Sequence, residues 1–99
     1  MVESSREIVT PRAAKLMFKN GRLKLRRGDP HVPGEWAGKP ITEFQRARLL
    51  RTIPVLRQYL IRRKTVKRLA EEMGVTYQRV EQILALGLQF AEETGWLVR

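Results

Sequence analysis

The sequence contains no cysteine and only one histidine, His31. The lack of cysteine excludes disulfide bonds and thiolate metal sites, and a lone histidine with no other candidate ligand close in sequence does not predict a metal centre. A glycine-rich phosphate loop and a spaced pair of acidic residues are also missing. We therefore expect a protein that is not an enzyme and that carries no cofactor.

Long apolar runs are missing as well. No segment approaches the roughly 18 apolar residues that a membrane span requires, and the first residues, MVESSREIVTPR, lack the hydrophobic region of a signal peptide. A chain of 99 residues has the length of one small domain with a modest core. These features predict a soluble, cytoplasmic protein with no membrane partner.

Positive charge is present in clear excess. Twenty lysines and arginines face ten acidic residues, and the resulting net charge of +10 predicts a polyanionic partner, most often nucleic acid. Residues 1–64 hold 16 basic and 5 acidic side chains, whereas residues 65–99 hold 4 and 5. Attraction to phosphate is therefore expected from the first two thirds of the chain. The alternative is a basic surface that only aids solubility. Solubility does not require an excess of positive charge, however, because interspersed charges of both signs serve it equally well.

Residues 11–26, PRAAKLMFKNGRLKLR, admit two interpretations. As a β-hairpin, they turn at Asn20-Gly21 in the type I′ geometry, and apolar residues alternate on both sides of the turn. As a helix, they begin with Thr10 as the cap and Pro11 at the first position, and they end at Asn20-Gly21. We favour the hairpin, because matched alternation rarely arises by accident. Its basic face would collect Lys15, Lys19, Arg22, Lys24 and Arg26.

A loop and a long helix are predicted to follow the N-terminal segment. Residues 26–40 hold three prolines and three glycines and are predicted to form a loop. A capping box of Thr42 and Gln45 starts a helix that Pro54 should kink or restart, and that should run to about Arg63. The predicted organisation is a mobile tail at 1–9, a basic hairpin and loop at 10–40, and a helical domain at 41–99.

The stretch AEEMGVTYQRVEQI, residues 70–83, has the spacing of a helix-turn-helix. In this motif a glycine permits the turn, here Gly74, and a small residue lies at the closest contact between the helices, here Ala70. Thr76 is a suitable cap for the second helix. The pattern predicts a mainly α-helical fold, a small helix-turn-helix domain with an N-terminal β-hairpin, in which the motif occupies residues 65–91.

The segment GVTYQRVEQI resembles the pattern Gly-Val-Thr-Arg-Glu-Arg-Ile-Arg-Gln-Ile in the domain of bacterial sigma factors that recognises the minus-35 promoter element. The likeness covers residues 65–90. Residues 74–76 match the turn, Arg79 matches a basic position, and Gln82 matches a glutamine that faces the bases. The resemblance implies a shared backbone and a role in DNA recognition.

Three departures separate this sequence from that pattern. Tyr77 replaces an arginine, Gln78 replaces a glutamate, and Glu81 replaces an arginine. The shared backbone is therefore expected without the shared DNA sequence.

A helical wheel divides the second motif helix into two arcs. A broad apolar arc is wider than a helix-turn-helix core requires, so part of it should meet the rest of the chain or another subunit. We consider a homodimer through Leu86, Leu88 and Phe90. The other arc, named here the glutamine face, contains no lysine or arginine and consists of Gln78, Glu81, Gln82, Ala85, Gln89, Glu92 and Glu93.

Base recognition does not require cations on this face. Glutamine bonds adenine, glutamate accepts from cytosine, and tyrosine contacts a thymine methyl group or a phosphate. The predicted base-contacting residues are Thr76, Tyr77, Gln78, Glu81 and Gln82. Affinity requires phosphate contacts, which in such motifs come from around the start of the first helix. The predicted backbone-contacting residues are Arg62, Arg63, Lys64, Lys67, Arg68 and Arg79.

Three functions fit this division. The first is a sequence-preferring double-stranded DNA-binding protein that regulates transcription. The second is a protein-docking module, for example on RNA polymerase, with nonspecific nucleic-acid contacts. The third, by fold-level analogy alone, is a viral DNA-packaging or recombination accessory protein. An ordinary solvated helix surface is the alternative to any role for the glutamine face.

Overall fold

Four α-helices carry the described part of the chain, which in this computed structural model comprises residues 10–28, 30–36 and 38–98. The helices are α1 (Pro11–Lys19), α2 (Glu43–Leu60), α3 (Val66–Met73) and α4 (Tyr77–Glu93). Two short antiparallel pairs join β1 (Lys24–Leu25) to β4 (Leu97–Val98) and β2 (Glu35–Trp36) to β3 (Lys39–Pro40). The prediction of a mainly α-helical fold is confirmed. The tail predicted at residues 1–9 lies outside the described residues.

The N-terminal hairpin prediction is wrong, because the segment before Asn20 is helix α1. The hydroxyl oxygen of Thr10 accepts a hydrogen bond from the Ala13 amide at 3.2 Å, and Pro11 occupies the first turn. Asn20 caps the end by donating its backbone N–H to Leu16, so Asn20-Gly21 terminates a helix instead of joining two strands. The capping signals outweigh the alternation, since a helix also buries Ala14 in the core.

The strand after α1 pairs with the C-terminus of the chain. Lys24 lies opposite Val98, and Leu25 lies opposite Leu97. The indole of Trp96 is buried and donates from Nε1 to the carbonyl oxygens of Arg26 and Gly28, both at 3.0 Å. These long-range contacts fasten the N-terminal third of the chain to the end of α4.

Helix α2 begins at the predicted capping box. The Thr42 hydroxyl oxygen accepts from the Gln45 amide at 3.1 Å, and Gln45 Oε1 accepts from the Thr42 amide at 3.0 Å. The helix continues through Pro54 and ends at Leu60, so no second helix begins at the proline. Helix α2 is therefore one continuous helix of 18 residues.

Helices α3 and α4 form the predicted helix-turn-helix pair. Thr65 caps α3 and Thr76 caps α4, each through its hydroxyl oxygen. Between them Gly74 adopts a left-handed conformation at φ 68° and donates its N–H to Ala70. A side chain with a Cβ is strained in that conformation, so the glycine is required by the turn.

Most of the broad apolar arc of α4 is buried against other helices of the same chain. Helix α4 packs against α1, α2 and α3, and its buried residues are Val80, Leu84, Gly87, Leu88, Phe90 and Ala91. The homodimer prediction is therefore corrected for Leu88 and Phe90, which lie in the core of one chain and are not available to a second subunit. Leu86 is half-buried at the edge of that core.

Helices α2 and α4 are in close contact at Gly87. A Cβ at this position would lie 3.1 Å from the Cβ of Thr52, which is tighter than ordinary contact. Thr52 is buried, and its hydroxyl donates to the Leu49 carbonyl at 2.6 Å, so the polar group is satisfied. The missing side chain of Gly87 allows α2 to cross directly behind α4.

Candidate nucleic-acid interface

The glutamine face of α4 is directed away from the core. Gln78, Glu81, Gln82, Ala85, Gln89 and Glu93 are exposed, and Glu92 is half-buried. Because the opposite side of the same helix is packed, α4 presents its polar residues on a rigid support. The predicted exposure of this face is confirmed for all members except Glu92.

The predicted base-contacting residues gather at the start of α4. Tyr77 is 51% exposed, and the side chains of Gln78 and Gln82 form no hydrogen bond with any other described residue. Thr76 differs, since its hydroxyl oxygen accepts from the Arg79 amide at 3.1 Å. The tyrosine and the two amides therefore keep their hydrogen-bonding groups for solvent or a ligand, whereas Thr76 caps the helix.

Glu81 lies on the flank of α4 that faces the end of α2. Burial raises the pKa of Tyr59, the negative charge of Glu81 raises it further, and the positive charge of Arg12 opposes the shift. Glu81 and Arg12 are thus both near the Tyr59 ring. The C-terminal end of α2 therefore lies within electrostatic range of Glu81 on the glutamine face.

Two of the predicted phosphate-contacting cations are bound by Glu72. Lys64 Nζ lies 2.8 Å from Glu72 Oε1, and Arg68 Nε lies 3.0 Å from Glu72 Oε2. Hydrogen bonds from Lys64 and then Arg68 lower the pKa of the Glu72 carboxyl. Lys64 Nζ also donates to Gln58 Oε1 at 2.9 Å. The spacing of Arg68 and Glu72, four residues apart on a helix, could have indicated their pairing from sequence.

The other cationic side chains around the start of α3 are not paired with a carboxylate of the described residues. Arg62, Arg63 and Lys67 are exposed, and their side chains form no hydrogen bond or ion pair with another described residue. Arg63 adopts a left-handed backbone conformation at φ 57°, which turns the chain between α2 and α3. The cationic groups of these three side chains are therefore available to a partner.

The predicted basic ribbon is dispersed by the helical conformation of α1. Lys15 and Lys19 lie on α1, whereas Lys24 lies in β1, so they do not share the face of a hairpin. Lys15 Nζ donates to the Lys64 carbonyl at 2.9 Å and lies 4.5 Å from the centre of the Tyr59 ring. Burial lowers the pKa of Lys15. This lysine ties α1 to the α2–α3 linker, whereas Lys19, Arg22, Lys24 and Arg26 are exposed.

Two cations that the sequence-based prediction did not assign lie beside the glutamine face. Arg48 and Arg51 of α2 line one surface cleft together with Arg79 and Gln82 of α4. The three-residue spacing of the α2 arginines was visible in the sequence. Their position beside Gln82 was not, because it depends on how α2 crosses α4.

Across the described ranges, no three histidine, cysteine, aspartate or glutamate side chains come together as a metal site would require. Within those ranges, no helix has the length and hydropathy of a membrane span.

Comparisons with known protein families, with curated proteins and with solved structures gave no match for this chain.

Proposed function

We propose that this chain is a sequence-preferring double-stranded DNA-binding protein that regulates transcription, with α4 as the recognition helix in the major groove. One observation carries the proposal. Gln78 and Gln82 are exposed amides on a rigid helix, and they form no hydrogen bond with any other described residue. Such groups suit adenine, to which an amide can donate and from which it can accept at the same time.

The spacing of the two glutamines suits neighbouring base pairs. A helix rises about 1.5 Å per residue, so these side chains lie about 6 Å apart along α4. Base pairs in B-DNA are about 3.4 Å apart along the duplex axis. One turn of α4 therefore spans about two base-pair steps, and each amide would contact a different base pair.

Phosphate contacts are assigned to the exposed cations near the start of α3. Arg62, Arg63 and Lys67 are free to approach a DNA strand, whereas Lys64 and Arg68 are held by Glu72. The amide end of α3 adds a favourable dipole. In this division of roles, the cations supply affinity for any duplex and the glutamines select among sequences.

The role in transcription and the cytoplasmic location are further parts of the proposal. The resemblance of residues 65–90 to the promoter-recognising domain of sigma factors supports a transcriptional role. A protein that regulates transcription in this way needs access to chromosomal DNA, which supports a cytoplasmic location. The packaging or recombination alternative continues to rest on fold-level analogy.

Selection from a random DNA library at physiological salt tests the proposal. We expect one enriched sequence for the wild type, and we expect Gln78→Ala and Gln82→Ala each to reduce discrimination at one position by about 1 to 3 kcal/mol. Gln89→Ala is the matched control, because it removes an exposed amide from the same face about 16 Å from Gln78 along the helix. An unaltered sequence profile in both glutamine variants would show that α4 does not contact the bases.

A protein-docking function is the second candidate, and two exposed apolar side chains of α2 favour it. Phe44 is 78% exposed and Leu50 is 42% exposed, and neither belongs to the buried core. Retention of RNA polymerase by the wild-type protein without DNA, and its loss in Phe44→Ser, would support docking. Tight binding to one DNA sequence without retention of any protein would exclude it.

A further inference from the structure

Three guanidinium groups from two helices surround one surface cleft. Arg48 and Arg51 come from α2, and Arg79 comes from the first turn of α4. All three side chains are exposed, and none forms an ion pair or hydrogen bond with another described residue. Arg48 also borders a neighbouring cleft that Glu93 lines, but no ion pair joins these two described side chains.

This arrangement is electrostatically incomplete. Like charges around one cleft repel each other, and no carboxylate lines it. An anion that binds several guanidinium groups at once converts this repulsion into attraction. Guanidinium groups match phosphate oxygens in geometry and donate two parallel hydrogen bonds to them, so a phosphate is the anion that this cleft fits best.

The position of the cleft connects it to DNA. Gln82 lines the cleft and also belongs to the glutamine face. A duplex that brings a base edge to Gln82 therefore brings its sugar-phosphate backbone towards Arg48 and Arg51. The apolar floor of the cleft, which includes Ile83 and Leu86, supports the aliphatic parts of the arginine side chains.

The crossing of α2 behind α4 separates two groups of cations. At Gly87 the helices are in close contact, and from there α2 emerges on the Gln82 side of α4 at Arg48 and Arg51. Its other end, at Tyr59, lies within electrostatic range of Glu81, which is on the opposite edge of the glutamine face from Gln82. A helix with its side chains is about 10–12 Å wide and fills a major groove about 12 Å wide. Cations on opposite sides of α4 would therefore meet different DNA strands.

We propose that Arg48 and Arg51 of α2, together with Arg79, form a second phosphate-binding surface that holds the DNA strand on the Gln82 side of α4. This inference rests on the proposed function and deepens it. The first surface, Arg62, Arg63 and Lys67, holds the other strand. Helix α2 thus links both phosphate-binding surfaces.

The test measures binding to a random-sequence duplex as a function of salt concentration. We expect Arg48→Gln with Arg51→Gln to reduce the slope of log K against log salt by about 1.8, which is the loss of two phosphate contacts and about 60-fold in affinity at 0.1 M salt. Arg48→Lys with Arg51→Lys keeps the charge and should retain the slope. Arg27→Gln with Arg46→Gln removes equal charge from exposed positions outside the cleft and should leave the slope unchanged.

The outcomes separate this inference from the proposed function. A wild-type protein that binds no duplex at low salt would contradict both. If the wild type binds duplex DNA but the two double Arg→Gln variants change the salt slope equally, only the second phosphate-binding surface is overturned. Phosphate-ethylation interference on the unmodified protein is independent of any variant. We expect ethylation of phosphates on both strands to interfere with binding, and interference confined to one strand would overturn the inference.

Discussion

The two groups of basic residues beside the helix-turn-helix differ in what surrounds them. Near the start of α3, Lys64 and Arg68 share the carboxylate of Glu72. Beside Gln82, Arg48 and Arg51 have no carboxylate in their cleft. A cation that is already paired inside the molecule gives up an existing contact when phosphate binds, whereas an unpaired one does not. A count of basic residues in the sequence therefore overestimates the charge available to phosphate near the start of α3. The same count does not identify the surface beside Gln82.

The first way to break this comparison is to disturb α2, which carries Arg48 and Arg51 and leads directly into the segment that holds Arg62 and Arg63. Leu56 of α2 is fully buried, and Leu56→Ala should lower the free energy of unfolding by about 2 to 5 kcal/mol. Denaturant unfolding measures the change. Gln89→Ala on the exposed side of α4 is the control and should change stability by about 0.5 kcal/mol or less. Equal effects of the two substitutions would contradict the packing of α2 in the core.

The second prediction concerns a substitution that removes the Glu72 carboxylate, so that the basic residues near the start of α3 become unpaired like those beside Gln82. Glu72→Gln should release Lys64 and Arg68 for phosphate, because it eliminates their charged partner. We expect tighter binding to random duplex DNA and a salt slope steeper by up to about 1.8. Glu71→Gln makes the same change in net charge beside it, at an exposed residue without an ion pair in the described chain. If both variants gain the same slope, Glu72 does not restrain the two cations.

The third and smallest effect concerns pH. The folded-state pKa of Glu72 is below its ordinary value of 4.5, so its ionised form stabilises the fold above that value. The contribution is lost as pH falls through the lowered folded pKa. We expect the stability difference between wild type and Glu72→Gln to be largest above pH 4.5 and to disappear at lower pH. Unfolding curves across this range measure it, and a difference independent of pH would contradict the ion-pair assignment.

The helix-turn-helix could be predicted because its signals are local. Gly74 permits a left-handed turn, Ala70 fits a close contact, and Thr76 caps the following helix. Each constraint acts within a few residues and depends little on the rest of the chain. The capping box at Thr42 succeeded for the same reason.

The N-terminal segment was predicted incorrectly because two local signals conflict there. Asn20-Gly21 suits both a tight hairpin and the end of a helix, so the dipeptide does not discriminate between them. Thr10 and Pro11 decide for the helix, and burial of Ala14 reinforces the choice. The strand partner of Leu25 is Leu97, which is too distant in sequence for a local pattern to identify.

The composition of the candidate site could be predicted only in part. Exposure of Gln78 and Gln82 follows from helical periodicity, and it was predicted correctly. The partnership of Lys64 with Glu72 and the position of Arg51 beside Gln82 depend on tertiary structure. Helical periodicity gives the face of a residue, whereas the packing angle between helices determines its neighbours.

Gln82 and Arg51 allow the most direct test of the central claim, because they line the same cleft and are assigned different roles. The measurement is the affinity of Gln82→Ala and Arg51→Gln for the selected sequence and for random duplex, each across a salt series. We predict that Gln82→Ala lowers the ratio of the two affinities and keeps the salt slope, whereas Arg51→Gln lowers the slope by about 0.9 and keeps the ratio. A Gln82→Ala variant that loses affinity equally for both duplexes, or an Arg51→Gln variant that changes the preferred sequence, would contradict the division of roles.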